Sequence, residues 1–576
     1  MRPILNRRRL LVGAGSSSAG MVAAGWFPAW AQPVSAGIAA PLPTVSGSDI
    51  TLKIARQSLV VDGQRSDAIG INGTVPGPLV RLREGQNVRL RVTNDLTEDS
   101  SIHWHGLLVP PAMDGVPGIS FPGIKPGSTF IYEFAIKQSG TYWYHSHSGL
   151  QEQAGHYGPI VIDPAGADPV KSDREHVVVL SDHSPMSPDA IFRKLKQQPG
   201  YFNYQRQTLA GLMAGKDQPL KDRAKWADMR MDPTDIADVT GSTYTYLVNG
   251  HGPHDNWTAL FSPGQRVRLR VINASSMTTF NVRIPGLPLT VVQADGQNVR
   301  PTTVDEFQIG VAETYDVIVN PRDNRAYTLV GESVDRSGMA RATLAPRAGM
   351  TADVPPLRPR PLATMTDMGM NMSGMDSMQG MDHTGMKHGD MNMDMRNPKN
   401  APGVAMTPGV QTISPMPEDR MGSPGQGLGD VGHRVLNYRD LVALDRNPDV
   451  RAPSRSLDIH LTGNMERFMW SFDGVKMSDK MQPIPFLKGE RVRVNLVNDT
   501  MMGHPIHLHG HFFELVTGHG DHAPRKHTVL VQPGGKATFD LTADAVGDWA
   551  FHCHLLYHMH AGMMRVVSIR APGGAR

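Results

Sequence analysis

One short pattern occurs three times and limits the folds open to this chain. EGQNVRLRVTN (84–94) matches PGQRVRLRVIN (263–273) and again KGERVRVNLVN (488–498). Each copy reads as a turn carrying a glycine, followed by a strand that alternates apolar and polar residues, one face for a core and one for solvent. Three copies along 576 residues predict three related β domains.

The copies also predict where metal ligands stand. Eighteen residues beyond the shared glycine lies His103 in the first copy and His507 in the third, but Val282 in the second, with Ile284 where a further histidine would fall. A later strand repeats the pattern: GTYWY (140–144) leads into His145 and GDWAF (547–551) into His552, whereas RAYTL (325–329) leads into no histidine. The middle domain is therefore expected to keep the sandwich without ligands, leaving a cluster to be built between the outer two.

Cys553 is the only cysteine in the chain, and it sits in FHCHLLYHMHAGMM (551–564). With one cysteine there is no internal disulfide, so stability must come from large cores. A thiolate, imidazoles and a distant thioether make the ligand set of a blue-copper electron-transfer site, with Cys553 and His558 as strong ligands and Met563 as the weak axial one. His504 offers the missing equatorial imidazole. On a strand, Cys553 points to one face while His552 and His554 point to the other, which asks for a multinuclear site just behind the first. Four His-x-His pairs, at 103/105, 145/147, 507/509 and 552/554, supply eight nitrogen ligands, as three coppers holding oxygen between them require.

HWHG (103–106), WYHSH (143–147), HPIHLHG (504–510) and HCHLLYHMHAGMM (552–564), with MDGVPG (113–118) and FMWSFDG (468–474), resemble the multicopper oxidases, and within them the bacterial copper-resistance CopA-like proteins. The resemblance covers essentially the whole chain after residue 31. It implies an all-β fold of three cupredoxin-like Greek-key β-sandwich domains, placed at 45–165, 170–346 and 430–572, the last with the type 1 copper. It implies four copper ions. His103 and His507 would hold type 2 copper; His105, His145, His147, His509, His552 and His554 the type 3 pair; His504, Cys553, His558 and Met563 type 1. Electrons from a one-electron donor would pass through Cys553 and its neighbouring histidines to dioxygen, which four transfers convert to water. Asp114 stands where the resemblance places a carboxylate that helps protons reach the cluster, although an Asp-Gly turn explains it as well. The residue after His558 is Met559, not a carboxylate, so the remaining proton route is not supplied.

Residues 1–31 read as an address. Arg7-Arg8-Arg9 precedes a mild apolar run and a small-x-small site at Ala29-Trp30-Ala31, which fits a twin-arginine signal for export to the periplasm; an ordinary secretory signal is the alternative. No later run of about 18 apolar residues suggests a membrane helix. That piece carries four arginines and no acid, so its removal takes the formal charge from +3 to −1, which gives no electrostatic footprint for nucleic acid.

Between the second and third domains, 350–425 reads as a linker holding a methionine-rich insertion. Met365, Met368, Met370, Met372, Met375, Met378, Met381, Met386, Met391, Met393 and Met395 stand among small polar residues, with His383 and His388. Such a stretch cannot offset its ordering entropy and is expected to be mobile. Its thioethers suit Cu(I) capture, against the plain reading of a tolerated low-complexity insertion. Met477, Asp479 and Met481 are candidates for a cuprous-ion approach beside type 1 copper, or simply a polar hairpin rim. His511, His519, His522, His527 and His560 are expected to support ligands or face solvent. Three roles follow: a periplasmic oxidase of Cu(I), a laccase-like oxidase of small phenols or aromatic amines, and a copper-sequestering protein. A monomer is expected.

Overall fold

The computed structural model describes residues 37–370, 394–479 and 482–573. The signal-like segment, Met372 to Met393 of the methionine run and Met481 lie outside the described residues. Strands form six sheets in three sequential pairs: five and four strands, then six and five, then seven and five. Each pair encloses apolar side chains, giving the all-β, three-sandwich cupredoxin architecture.

The repeated pattern explains the regularity. Gly85, Gly264 and Gly489 have φ of 87°, 86° and 82°, a conformation that costs glycine little and other residues much. Each is followed by a core strand, Asn87–Asn94, Val267–Asn273 and Arg491–Asn498. In the first, Val88, Leu90 and Val92 are buried and the alternate residues face outward. The second departs from that alternation, because its polar face is covered too. Arg268 and Arg270 are buried against Asp316, and Arg270 also donates 2.9 Å to Thr141 Oγ1 of the first domain.

The asparagine ending each copy does matching work. Asn94, Asn273 and Asn498 are all fully buried, and each side-chain amide donates to two or more loop carbonyls further along: Glu98 and Ile124; Thr278 and Ile309; Met502, Val531 and Gln532. In each, Oδ1 accepts the N–H two residues on. These brackets aim the loop that enters the next strand, the one that carries the paired histidines in domains one and three. There the register sets His103 opposite His145 and His507 opposite His552, while in the middle domain Val282 faces Gly331.

The middle domain also carries a helical excursion. Helix Pro188–Gln197 starts on Ser187, whose side chain accepts from Ala190 N–H, and Leu220–Asp228 follows further on. The excursion leans on domain three: Lys196 donates 2.8 Å to Phe468 O, Arg230 pairs with Glu466, and the Phe192 ring stacks on Tyr557 at 5.8 Å.

The methionine run, expected to be mobile, is anchored at both ends. Met368 and Met395 are buried, and Met365 and Met370 pack beside them around Trp226 and Met501. Asp367 accepts 2.7 Å from Arg420, and Ile413 N–H donates to Met395 O. Burial of these thioethers against an indole offsets ordering entropy that the polar residues between them cannot.

Candidate metal centres

Strand Gly547–Cys553 carries the first centre. Cys553 Sγ lies 3.6 Å from His504 Nδ1 and 3.9 Å from His558 Nδ1, and the two nitrogens are 3.3 Å apart. All three residues are buried. The outer nitrogens are engaged: His504 Nε2 meets Thr500 Oγ1 at 2.8 Å, and His558 Nε2 meets Asp238 Oδ2 at 2.6 Å. Burial pushes the Asp238 carboxyl up to about 8; once it is ionised it accepts, so His558 Nε2 carries the proton and Nδ1 turns a lone pair toward the sulfur. Trp470 stacks on His558 at 3.8 Å and meets His504 edge-on. Met563 is fully buried in the turn that closes the site, its carbonyl accepting from Cys553 N–H.

On the opposite face, His552 and His554 reach the eight-histidine cluster. Donor atoms come within 4.8 Å of one another in three groups: His103, His105 and His507; His105, His145 and His554; His147, His509 and His552. Every group takes residues from both outer domains. The strand register explains the convergence, since 103 with 145 and 507 with 552 are cross-strand partners whose edges meet at the seam.

Again the outward nitrogens are tied and the inward ones bare. His103 Nδ1 donates 2.8 Å to Asp114 O, His507 Nδ1 donates 2.7 Å to His527 O, and His552 Nδ1 donates 3.0 Å to Cys553 O. His509 Nδ1 is 2.8 Å from Asp114 Oδ2. His103 Nε2, His105 Nδ1, His147 Nε2 and His507 Nε2 are buried with no hydrogen-bond partner among the described residues. His509 Nε2 and His552 Nε2 confront each other at 3.1 Å. Two bare lone pairs that close repel in a dry site, and a cation between them removes the conflict. The donor set therefore fits copper at both centres.

Burial reinforces this. It holds His105, His145, His147, His504, His507, His509, His554 and His558 well below the ordinary imidazole range, and His552 at about 4, so all stay neutral and ready to ligate. Burial also pushes the Cys553 thiol up, so the thiolate requires a cation beside it.

Sequence reasoning missed three acids. Glu152 is buried in the turn after His147, with Oε2 2.6 Å from His145 Nδ1 and Oε1 4.0 Å from His554 Nδ1. It supplies from domain one a carboxylate that the chain lacks after His558. Asp238, on the helical excursion, holds His558. Asp295, in the domain without ligands, accepts the N–H groups of His527 and Thr528 at 3.2 and 3.1 Å and pairs with buried Lys526 at 3.0 Å. It thereby fixes the segment whose carbonyl holds His507. No motif marks these residues: Asp238 and Asp295 are brought in by packing between domains, and Glu152 by the turn that follows His147 within domain one.

Met477 and Asp479 lie together on a short turn at the surface, where Asp479 pairs with Lys476. Met477 lines a cavity of about 680 Å³ with Phe192, Met469, Met559 and Met564, and that cavity reaches His147, the one cluster histidine that is only half-buried. Lys196 and Lys476 also line it, so it is a poor place for a cation. His527 and His511 are buried behind the paired histidines, while half-buried His519 and exposed His560 are bonded to backbone carbonyls.

Multicopper oxidase sequence profiles match residues 53–167, 174–349 and 451–572, and the chain belongs to the multicopper oxidase family, oxidoreductases that use dioxygen and carry one type 1, one type 2 and two type 3 coppers. It is 46% identical to copper resistance protein A of Escherichia coli, over 95% of this chain and 96% of that protein. It is 47% identical to copper resistance protein A of Pseudomonas syringae pv. tomato, over 96% and 98%. Among solved structures, the laccase of Botrytis aclada shares the fold at a TM-score of 0.62 with 21% identity, covering 93% of this chain and 92% of the laccase.

Proposed function

We propose that this chain is a copper-tolerance oxidase that takes single electrons from Cu(I), and from small phenols, and reduces dioxygen to water. The observation that carries the reading is the strand at His552-Cys553-His554, which joins two buried donor sets through one backbone. When bound, the copper ions supply the redox chemistry, one electron at a time from the donor and four to dioxygen.

In this reading His504, Cys553, His558 and Met563 hold type 1 copper, His103 and His507 type 2, and His105, His145, His147, His509, His552 and His554 the type 3 pair. The chain's own work is positional. Asp114, Glu152 and backbone carbonyls fix the tautomers that leave inward nitrogens free, which second-shell partners do in metal sites generally. Asp114, between His103 and His509, also carries a proton toward the reduced oxygen. Asp238 gives His558 a polar edge toward donors. The apolar cavity at Phe192, Met469 and Met559 supports phenol oxidation as a second activity.

The arginine-rich start supports twin-arginine export to the periplasm, and no described helix is long and apolar enough to cross a membrane. The enzyme acts as a monomer, since each chain supplies both centres. The test is oxygen uptake with Cu(I) and with a phenol, by wild type and Cys553→Ser. The variant should lose its blue colour and at least about a thousandfold of both activities. Activity surviving on either donor would remove the thiolate from the path.

A further inference from the structure

The four most exposed large apolar side chains among the described residues all lie between positions 204 and 220. Met213 is 82% exposed, Tyr204 71%, Leu209 70% and Leu220 67%, and the next, Leu487, reaches 54%. They stand in the helical excursion of domain two, between helix Pro188–Gln197 and the start of Leu220–Asp228. Single exposed apolar residues are ordinary, but four gathered in one place mark a surface that meets something apolar.

Slack chain does not account for the exposure. A short helix, Leu209–Met213, starts on Thr208, whose Oγ1 accepts from Gly211 N–H at 2.9 Å, and it sets Leu209 and Met213 one turn apart on one face. The two ends of the tip are pinned together. Gln207 Oε1 accepts from Gln218 N–H at 2.9 Å, and Gln207 Nε2 donates to Gln218 Oε1 at 3.0 Å. Beside them Asp217, only 6% exposed, accepts from Thr208 N–H at 2.7 Å, from Arg223 at 3.3 Å and from Arg360 in the linker after domain two. Three donors on one carboxylate fix the hairpin firmly, so its apolar side chains are held outward by a built frame.

Charge around the tip has one sign. Its exposed charges are Arg206, Lys216 and Lys221, whereas Asp217, the one acid within 204–221, is turned inward. Arg206 donates to Gly200 O, a neutral acceptor that leaves the charge uncancelled. The excess is local, since the formal charge of the chain without residues 1–31 is −1. An apolar tip rimmed by lysine and arginine suits an anionic bilayer surface, where aliphatic side chains enter the headgroup layer, tyrosine sits at its edge and cations meet phosphates. Fluid lipid conforms to separate projecting side chains, whereas a protein surface must offer a matching pocket for each.

We propose that residues 204–221 form a tip that docks on the surface of an anionic phospholipid bilayer. Tyr204, Leu209, Met213 and Leu220 enter the headgroup layer, and Arg206, Lys216 and Lys221 lie against lipid phosphates. Association is peripheral and reversible. The same excursion carries Asp238, which bonds His558 Nε2 at 2.6 Å, so the element that meets lipid also supports the thiolate centre. The proposal does not depend on which electron donor the enzyme uses.

The test is co-sedimentation of the copper-loaded enzyme with phosphatidylcholine vesicles, with and without phosphatidylglycerol, at low and at physiological salt. Wild type should bind the phosphatidylglycerol vesicles, severalfold more weakly at the higher salt. Leu209→Ser/Met213→Ser should weaken that binding about tenfold. Lys216→Gln/Lys221→Gln should weaken it about thirtyfold and reduce the preference for anionic lipid. Both variants change exposed side chains only, so blue colour and oxygen uptake with a phenol in solution should stay within about twofold of wild type. No sedimentation of wild type with either vesicle would overturn the proposal, as would binding that neither variant weakens. Two other occupants are read in parallel. A dimer in free solution that Leu209→Ser/Met213→Ser converts to a monomer would make the tip a contact between copies, and polyglutamate bound as tightly as the vesicles would make it a site for an acidic protein. Either result overturns lipid docking.

Discussion

Asp295→Asn should empty one copper position without touching the blue centre. Asp295, Glu313 and Lys526 are at most 1% exposed, and Lys526 lies 3.0 Å from Asp295 and 3.1 Å from Glu313. Breaking a buried ion pair typically costs about 3–5 kcal/mol, and two N–H bonds to a charged acceptor are worth about 1.5–3 kcal/mol each. Asparagine keeps one acceptor oxygen, so the expected destabilisation is about 3 kcal/mol, centred on residues 526–528. That segment holds His507 through its Nδ1 bond to His527 O, and Thr528 Oγ1 lies 3.3 Å from His105 Nε2. Loss of such a support weakens metal affinity by about 10–100-fold. The assay is copper per chain together with the type 2 paramagnetic signal and the thiolate-to-copper absorption band. Copper should fall toward three per chain, with the type 2 signal lost and the blue band kept. Lys526 keeps Glu313 as its counter-ion at 3.1 Å, so adding Lys526→Met strands that carboxylate and should recover neither thermal stability nor type 2 copper. Wild-type copper affinity in Asp295→Asn would refute the argument, and loss of both centres would reduce Asp295 to a general packing role.

Glu152→Gln tests the carboxylate supplied by domain one. It replaces the 2.6 Å contact to His145 Nδ1 by a neutral one and should weaken copper binding at the type 3 pair by about 10–100-fold, read as copper released to a chelator, with retention equal to wild type counting against it. His156 is buried with neither ring nitrogen partnered among the described residues, and burial lowers it to about 3. Its folded value lies below its unfolded value, so the unfolded chain binds the extra proton and stability is lost as pH falls below about 6.5. Between pH 7 and pH 4.5 this one group should cost about 2–3 kcal/mol, so His156→Phe should flatten the acid limb of a denaturation series on copper-free protein. An unchanged limb would show that His156 finds a partner.

Three sandwiches were legible because turn glycine, alternating strand and terminal asparagine recur as one unit, and the count from glycine to His103, Val282 and His507 is preserved in the strand register. The histidines that the structure gathers at the seam were legible for the same reason, since each His-x-His pair is local. What escaped was support from a distance. Asp238, Glu152 and Asp295 are 320, 7 and 232 positions from the groups they hold, and only Glu152 is near its partner in sequence. The roles of Asp238 and Asp295 arise where the helical excursion and the middle domain press on the seam, and single-chain periodicity carries no signal of such contacts; Glu152 lies close to His145 in sequence, but no motif sets it apart from other acids. The buried Arg268 and Arg270 mark the same gap, because an alternating strand does not show that another domain covers its polar side.

Since no histidine group at the seam is complete within one domain, filling those positions and docking the first domain onto the third are a single equilibrium. Each ion captured there is bound only by the closed arrangement and so favours it by mass action, as any ligand selective for one state does. Stripping metal should consequently loosen the whole molecule along one plane, and a chain opened at that plane could regain its ions only by shutting again.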